Sequence, residues 1–370
     1  MRQRSQGILK GQMGMSQDAL EPIEPERAIE LYLEDRSDEL RTATQRAHRS
    51  ALGIFEEWAA EYGLTNLNDL SGRDLIAFKN WRKKETDIST VTLNGALGIL
   101  KRFFRFCEII EAVEPDFHER VPLPNVPPDA EVKDDAPEDE AVEAIRSYYQ
   151  QFEYASRRHT QFELIAEIGV RLGTAIAIDL DDIQWDREAI QIRHRPMESE
   201  GETPLKNGAG GERIVNLSPS FTGLLEDYVQ HNRHDVEDDV GREPLFTTSK
   251  GRASTTTIRR DFYKLTRPCE YSNDCPHDRD ISDCEATAPV QATTCPSSFT
   301  THPLRKWSIM QQLNDGVPKE ILSDRVDVSV PILDKHYDQR SEERKSQRRR
   351  EVLESNHRQY HMTDGGSREE

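Results

Sequence analysis

Residues 121–140 read VPLPNVPPDAEVKDDAPEDE, a stretch dense in proline and carboxylate with no apolar period of either kind. Proline removes a backbone donor and pushes the residue before it out of the helical region, so no helix or strand runs through such a segment. It reads as a linker over 119–141, and it divides the chain in two. With 370 residues, each part is long enough to bury its own core. The organisation expected is a polar, disordered leader over 1–24, a helical domain over 25–118, the linker, a second domain over 142–340, and a charged tail over 341–370.

The first part patterns as helix throughout. Ala51, Phe55, Trp58 and Tyr62 recur at spacings of four, three and four, predicting one buried face. Ser71 with Asp74 has the form of a capping box, followed by Leu75 and Phe78 and ended by Arg82, Lys83 and Lys84. The next helix has Leu93, Leu97, Leu100, Phe104 and Cys107 as its apolar stripe, with Lys101, Arg102 and Arg105 beside it. Two readings of these basic groups stand: DNA contact, or cations solvated near helix ends. The second part opens with helical patterns and passes through a short β region, where Ile190 and Ile192 alternate before Ile214, Val215 and Leu217. It then returns to helix. The fold class expected is mainly α with a small β region (α+β).

The formal charge is −19, from 68 acidic and 49 basic residues. An excess of that size repels phosphate in ordinary buffers. The carboxylates, however, are scattered through nearly every segment, and Arg outnumbers Lys. Such a solvated acidic coat suits near-molar salt, where a Debye length of about 3 Å screens the repulsion. A halophile cytoplasm is the expectation, an ordinary acidic cytosolic protein the alternative. No apolar run approaches membrane-spanning length and the N-terminus has no apolar signal core, so a cytoplasmic, nucleoid-associated location without a membrane partner is expected.

Transesterification at a phosphodiester needs fixed cations around an anionic, pentacoordinate transition state, a nucleophile able to form an ester, and a proton donor for the leaving oxygen. The second domain holds residues of these types in a suggestive order. GVRLGTAIAIDLDDIQW (Gly169–Trp185) contains Arg171, PLKNGAGGERIVNL (Pro204–Leu217) contains Lys206, and His302-Pro-Leu-Arg305 precedes Gly316. Tyr337, in LDKHYDQRS, follows Arg305 by thirty-two residues. Taken singly, each has a plainer reading: Arg171 as a surface ion-pair partner, Lys206 as a turn lysine, His302 as a satisfied histidine, Tyr337 as a packed ring.

As an ordered set, these boxes resemble the tyrosine recombinase, or phage integrase, family. The resemblance covers nearly the whole second domain, and the helical first domain is similar to the family's core-binding domain. It implies a site-specific recombinase acting on double-stranded DNA through a 3′-phosphotyrosyl intermediate, self-assembled as a tetramer, with no cofactor for catalysis. It places Tyr337 as nucleophile, Arg171 and Arg305 on the phosphate oxygens, His302 as an assisting group and Lys206 as proton donor. Tyr360 lies beyond the family's spacing. Two positions depart from the pattern: Thr174 stands where an acidic residue usually buttresses the first arginine, and Val328 stands where His or Trp usually supports the phosphate. A type IB topoisomerase and a non-catalytic DNA-binding regulator on the same scaffold are the rival readings.

Cys269, Cys275, Cys284 and Cys295 cluster in a Cys-rich insertion over 265–297, with His277 nearby. In a chain without an export signal, four soft ligands point to a structural zinc site, free buried thiols being the alternative. The insertion resembles an element of integrases of halophilic archaea. Arg252, Arg259, Arg260 and Lys264 follow the hairpin at a Thr-rich helix start. The resemblance implies that they face DNA, and a solvated basic face is the other reading.

Overall fold

The computed structural model describes residues 20–127, 130, 135–196, 201–288, 291–338, 346 and 350. The expected leader lies outside the described residues up to residue 19. From Leu20 the chain is part of the fold: that side chain is buried, and the Glu21 N–H donates to the Glu111 carbonyl at 2.9 Å. The expected tail, with Tyr360, lies outside the described residues except for 346 and 350. The chain divides into two units, 1–132 and 133–370.

The first unit is a bundle of α1 (Pro25–Asp35), α2 (Thr42–Tyr62), α3 (Gly72–Glu85) and α4 (Thr90–Ile109). The capping box forms at α3 as expected, Ser71 and Asp74 satisfying each other's backbone. On α2 the buried residues are His48, Leu52, Phe55, Trp58 and Ala59. Tyr62 is 55% exposed, stacks on Trp58 and donates to Asp74 at 2.9 Å, so the apolar face lies about a residue round from the one expected. α4 buries its expected stripe together with Phe103 and Phe106. Helices pack on both flanks of α4, where edge-to-face aromatic contacts join Phe55, Phe104 and Phe117.

The second unit is built around α6 (Arg157–Ile168), which packs against α5 (Asp139–Phe152) and, later in the chain, α8 (Pro219–Asp227), α9 (Thr255–Leu265) and α11 (Thr301–Asn314). α7 (Leu172–Ala177) leads into an antiparallel sheet of β1 (Ile183–Gln184), β2 (Ala189–Ile192) and β3 (Arg213–Asn216). Ile190 pairs with Ile183 on one side and Val215 on the other, and all three face the core. Ile214 points outward at 53% exposure, as the period of two requires once Val215 is inside.

A second hairpin, β4 (Thr247–Thr248) with β5 (Gly251–Arg252), is held by ion pairs. Arg252 reaches Asp179 at 2.6 Å and Asp238 at 2.7 Å. Burial works against the Asp238 charge, but hydrogen bonds from Arg252, from the Arg242 and Val240 amides and from the Arg242 side chain hold its carboxyl at about 2. α10 (Pro268–Tyr271) begins the Cys-rich insertion. α12 (Lys319–Val326) and α13 (Val330–His336) close the unit, their core made by Ile309, Leu313, Leu322, Val326, Val328, Leu333 and Tyr337.

Candidate active site

The turn from α6 into α7 places the first arginine. Gly169 ends α6 at φ +61, where an added Cβ would meet the Ser308 Oγ at 3.2 Å and Val326 at 3.3 Å, so only glycine fits without strain. Two residues on, Arg171 is the N-cap of α7. Its Nη2 donates to the Asp327 carbonyl at 2.7 Å, and its Nη1 donates to the Asp327 carboxylate.

Arg305, in the middle of α11, is 2% exposed. Its Nη1 donates to the Gly169 carbonyl at 2.6 Å and its Nη2 to the Val326 carbonyl at 2.8 Å. The Tyr337 side chain lies beside it and favours its charged form. Burial, then the neighbouring Arg171 charge, lowers its pKa to about 10, still well above neutrality. Tyr337 caps α13 at 8% exposure, its N–H donating to the Leu333 carbonyl at 3.0 Å.

His302 lies in the first turn of α11 with its residue surface open to solvent. Partial desolvation of the ring, then Arg305, hold its pKa below the ordinary imidazole value; Lys206 and Lys306 add to this and Asp135 opposes it. Lys206 is exposed on the β2–β3 connection. Thus Arg171, Lys206, His302, Arg305 and Tyr337 come together: His302 lies in the field of Lys206 and Arg305, and Arg305 in that of Arg171 and Tyr337.

Three further residues enter the site. Arg213, on the inward face of β3, donates through Nε to the Arg325 carbonyl at 2.8 Å and lies in the field of Asp327 and Arg171. Asn207 donates to Asp327 at 2.7 Å. Asp327, the third, joins Arg171 to Asn207. Val215 is buried, and the period of two carries Arg213, two residues earlier, to the same face. Nothing local marked Asp327 or Asn207, which meet across 120 residues of chain. Val328 is buried in the apolar cluster, and Arg325 turns to the Asn216 carbonyl at 3.0 Å. Thr174 is buried.

On the first unit, Lys83, Lys84, Arg102 and Arg105 are exposed and Arg82 partly so; Lys101 is partly exposed, 4.0 Å from Glu119. Arg259 and Arg260 are exposed on α9. Arg252 instead turns inward to Asp179 and Asp238, and Lys264 pairs with Glu270 at 3.2 Å. Cys269, Cys275, Cys284 and Cys295 line one small cavity with His277, and the Cys269 thiol is pushed up chiefly by desolvation. Among the described residues, however, no three His, Cys, Asp or Glu side chains form a group able to hold a metal ion. The arrangement therefore does not support the expected zinc site.

Residues 29–108 match the phage integrase N-terminal SAM-like domain. A curated protein of Sinorhizobium fredii, described as an integrase/recombinase, is 29% identical over 107 residues, an alignment covering 29% of this chain and 30% of that relative's length. Among solved structures, the Tn1549 transposon integrase in complex with transposon right end DNA covers 90% of this chain and 100% of its own, at TM-score 0.65 and 12% identity. A lambda integrase tetramer bound to a Holliday junction covers 83% of this chain and 75% of its own, at TM-score 0.56 and 12% identity. At such identities the likeness is one of fold. Residues 29–108 therefore match a phage integrase N-terminal SAM-like domain, and the chain has the fold seen in the Tn1549 and lambda integrases.

Proposed function

We propose that this chain is a site-specific DNA recombinase in which the Tyr337 hydroxyl attacks a phosphodiester, giving a 3′-phosphotyrosyl enzyme and a free 5′-hydroxyl. The observation that carries the reading is the Tyr337 side chain beside the buried Arg305, with Arg171 close enough to lower the Arg305 pKa. Two fixed guanidinium groups beside a hydroxyl fit an anionic transition state at phosphorus. Arg305 gives one donor to each of two carbonyls and keeps others for phosphate. Lys206 protonates the leaving 5′-oxygen and His302 assists. The side chains supply the positive charge, so the chemistry needs no cofactor.

The partner is double-stranded DNA, approached by Arg82, Lys83, Lys84, Lys101, Arg102 and Arg105 of the first unit and by Arg259 and Arg260 of the second. Exchange between two sites requires a homo-oligomer, taken as a tetramer on DNA. The test is a supercoiled plasmid carrying paired candidate sites. Recombination between the sites supports the proposal. Relaxation alone would assign the same chemistry to a topoisomerase, and binding without cutting would make the chain a regulator.

A further inference from the structure

The last carbonyls of an α-helix have no partner within the helix and carry its negative end. At the C-terminus of α12, three consecutive carbonyls each accept from an arginine of a different element. Arg325 accepts from Arg213 of β3 at 2.8 Å, Val326 from Arg305 of α11 at 2.8 Å, and Asp327 from Arg171 before α7 at 2.7 Å. What stops the helix here is Asp327, in the left-handed region at φ 55, ψ 56. Glycine takes that conformation without strain, and an L-residue does so at a cost. The aspartate side chain is 12% exposed and doubly engaged: one carboxylate oxygen accepts from Arg171, the other from Asn207 at 2.7 Å.

The geometry points to Asp327 as a positioning residue for the strand-transfer site: its carboxylate aims the Arg171 guanidinium and ties the loop carrying Lys206 to the helix end that holds the three arginines. This rests on the proposed function. Backbone and side chain of one residue grip two branches of the Arg171 fork, which fixes the guanidinium plane and not only its place. Asn207 follows Lys206 directly, so the second carboxylate oxygen restrains the lysine through its neighbour. Tyr337 lies ten residues on, beyond a single short helix from the same turn.

The test compares Asp327→Gly and Asp327→Asn with wild type by single-turnover cleavage of a nicked suicide duplex at saturating DNA, beside the equilibrium Kd and the thermal midpoint. Glycine suits the backbone, so Asp327→Gly melts at or above wild type and binds DNA comparably. Its cleavage rate drops on the order of 100-fold because the arginine is no longer aimed. Asp327→Asn keeps an acceptor oxygen and tolerates the left-handed region, and it recovers a large part of that loss. Wild-type or faster cleavage by Asp327→Gly overturns the assignment, as does a loss confined to Kd. A wild-type protein that forms no adduct on the same duplex sinks the strand-transfer reading first, and this assignment with it.

Discussion

At Arg305 the site and the core meet. A buried cation is costly unless its donors are met, and here the Gly169 and Val326 carbonyls each take one. Arg305→Ala leaves both carbonyls short of a partner in a dry interior, and destabilisation of roughly 3 kcal/mol is expected. Arg171 is half-buried, so Arg171→Ala is expected to abolish cleavage while moving the melting midpoint far less. Thermal unfolding of the two variants, read beside cleavage, separates the roles; equal midpoints would show Arg305 to be less embedded than its contacts imply. His159 gives a second test, away from the chemistry. It is 2% exposed, accepts the Ala155 N–H at 3.2 Å, and is held at about 4 by burial and by Arg146. The unfolded chain takes up that proton near 6.5 and the folded one does not. The stability it contributes is therefore whole above pH 6.5 and is lost as pH falls towards 4, by roughly 3 kcal/mol. His159→Gln should flatten the slope in that window; an unchanged slope would assign it to other groups.

Among the elements, α4 offers the cleanest separation of fold from binding. Its apolar stripe is buried, while Arg102 and Arg105 face solvent and Lys101 lies at the margin. Reversing the three charges should leave the stability within about 1 kcal/mol of wild type and weaken DNA binding at least tenfold at moderate salt. Unchanged affinity would place the DNA surface elsewhere. α3 and α4 together show what is legible in the sequence. The Ser71–Asp74 box and the Leu93–Leu97–Leu100 stripe are local patterns, and local patterns survive folding. Phe103 and Phe106 were missed because a helix packed on two flanks buries more than one stripe. The β4–β5 hairpin escaped notice because two-residue strands have no period to read. The five residues of the proposed chemistry are readable as motifs in order. Asp327 and the inward turn of Arg252 are not, since each depends on at least one partner more than seventy residues away.

Across the whole molecule, two units each hold a separate core, and the second carries all five residues of the proposed chemistry. A formal charge of −19 surrounds a site built from arginines. The positive groups are concentrated by side chains that the fold turns towards one helix end, while the carboxylates stay dispersed along the chain. Long-range repulsion of DNA weakens as salt shortens the Debye length, so the decisive assay spans low to near-molar KCl. That assay is covalent capture on a nicked suicide duplex, read as a protein–DNA adduct on a denaturing gel. Wild type and Tyr360→Phe are expected to form the adduct. Tyr337→Phe, which removes one oxygen and keeps the packed ring, is expected to form none while still binding the duplex. Capture by the Tyr337→Phe protein, or none by wild type at any salt, would contradict the account.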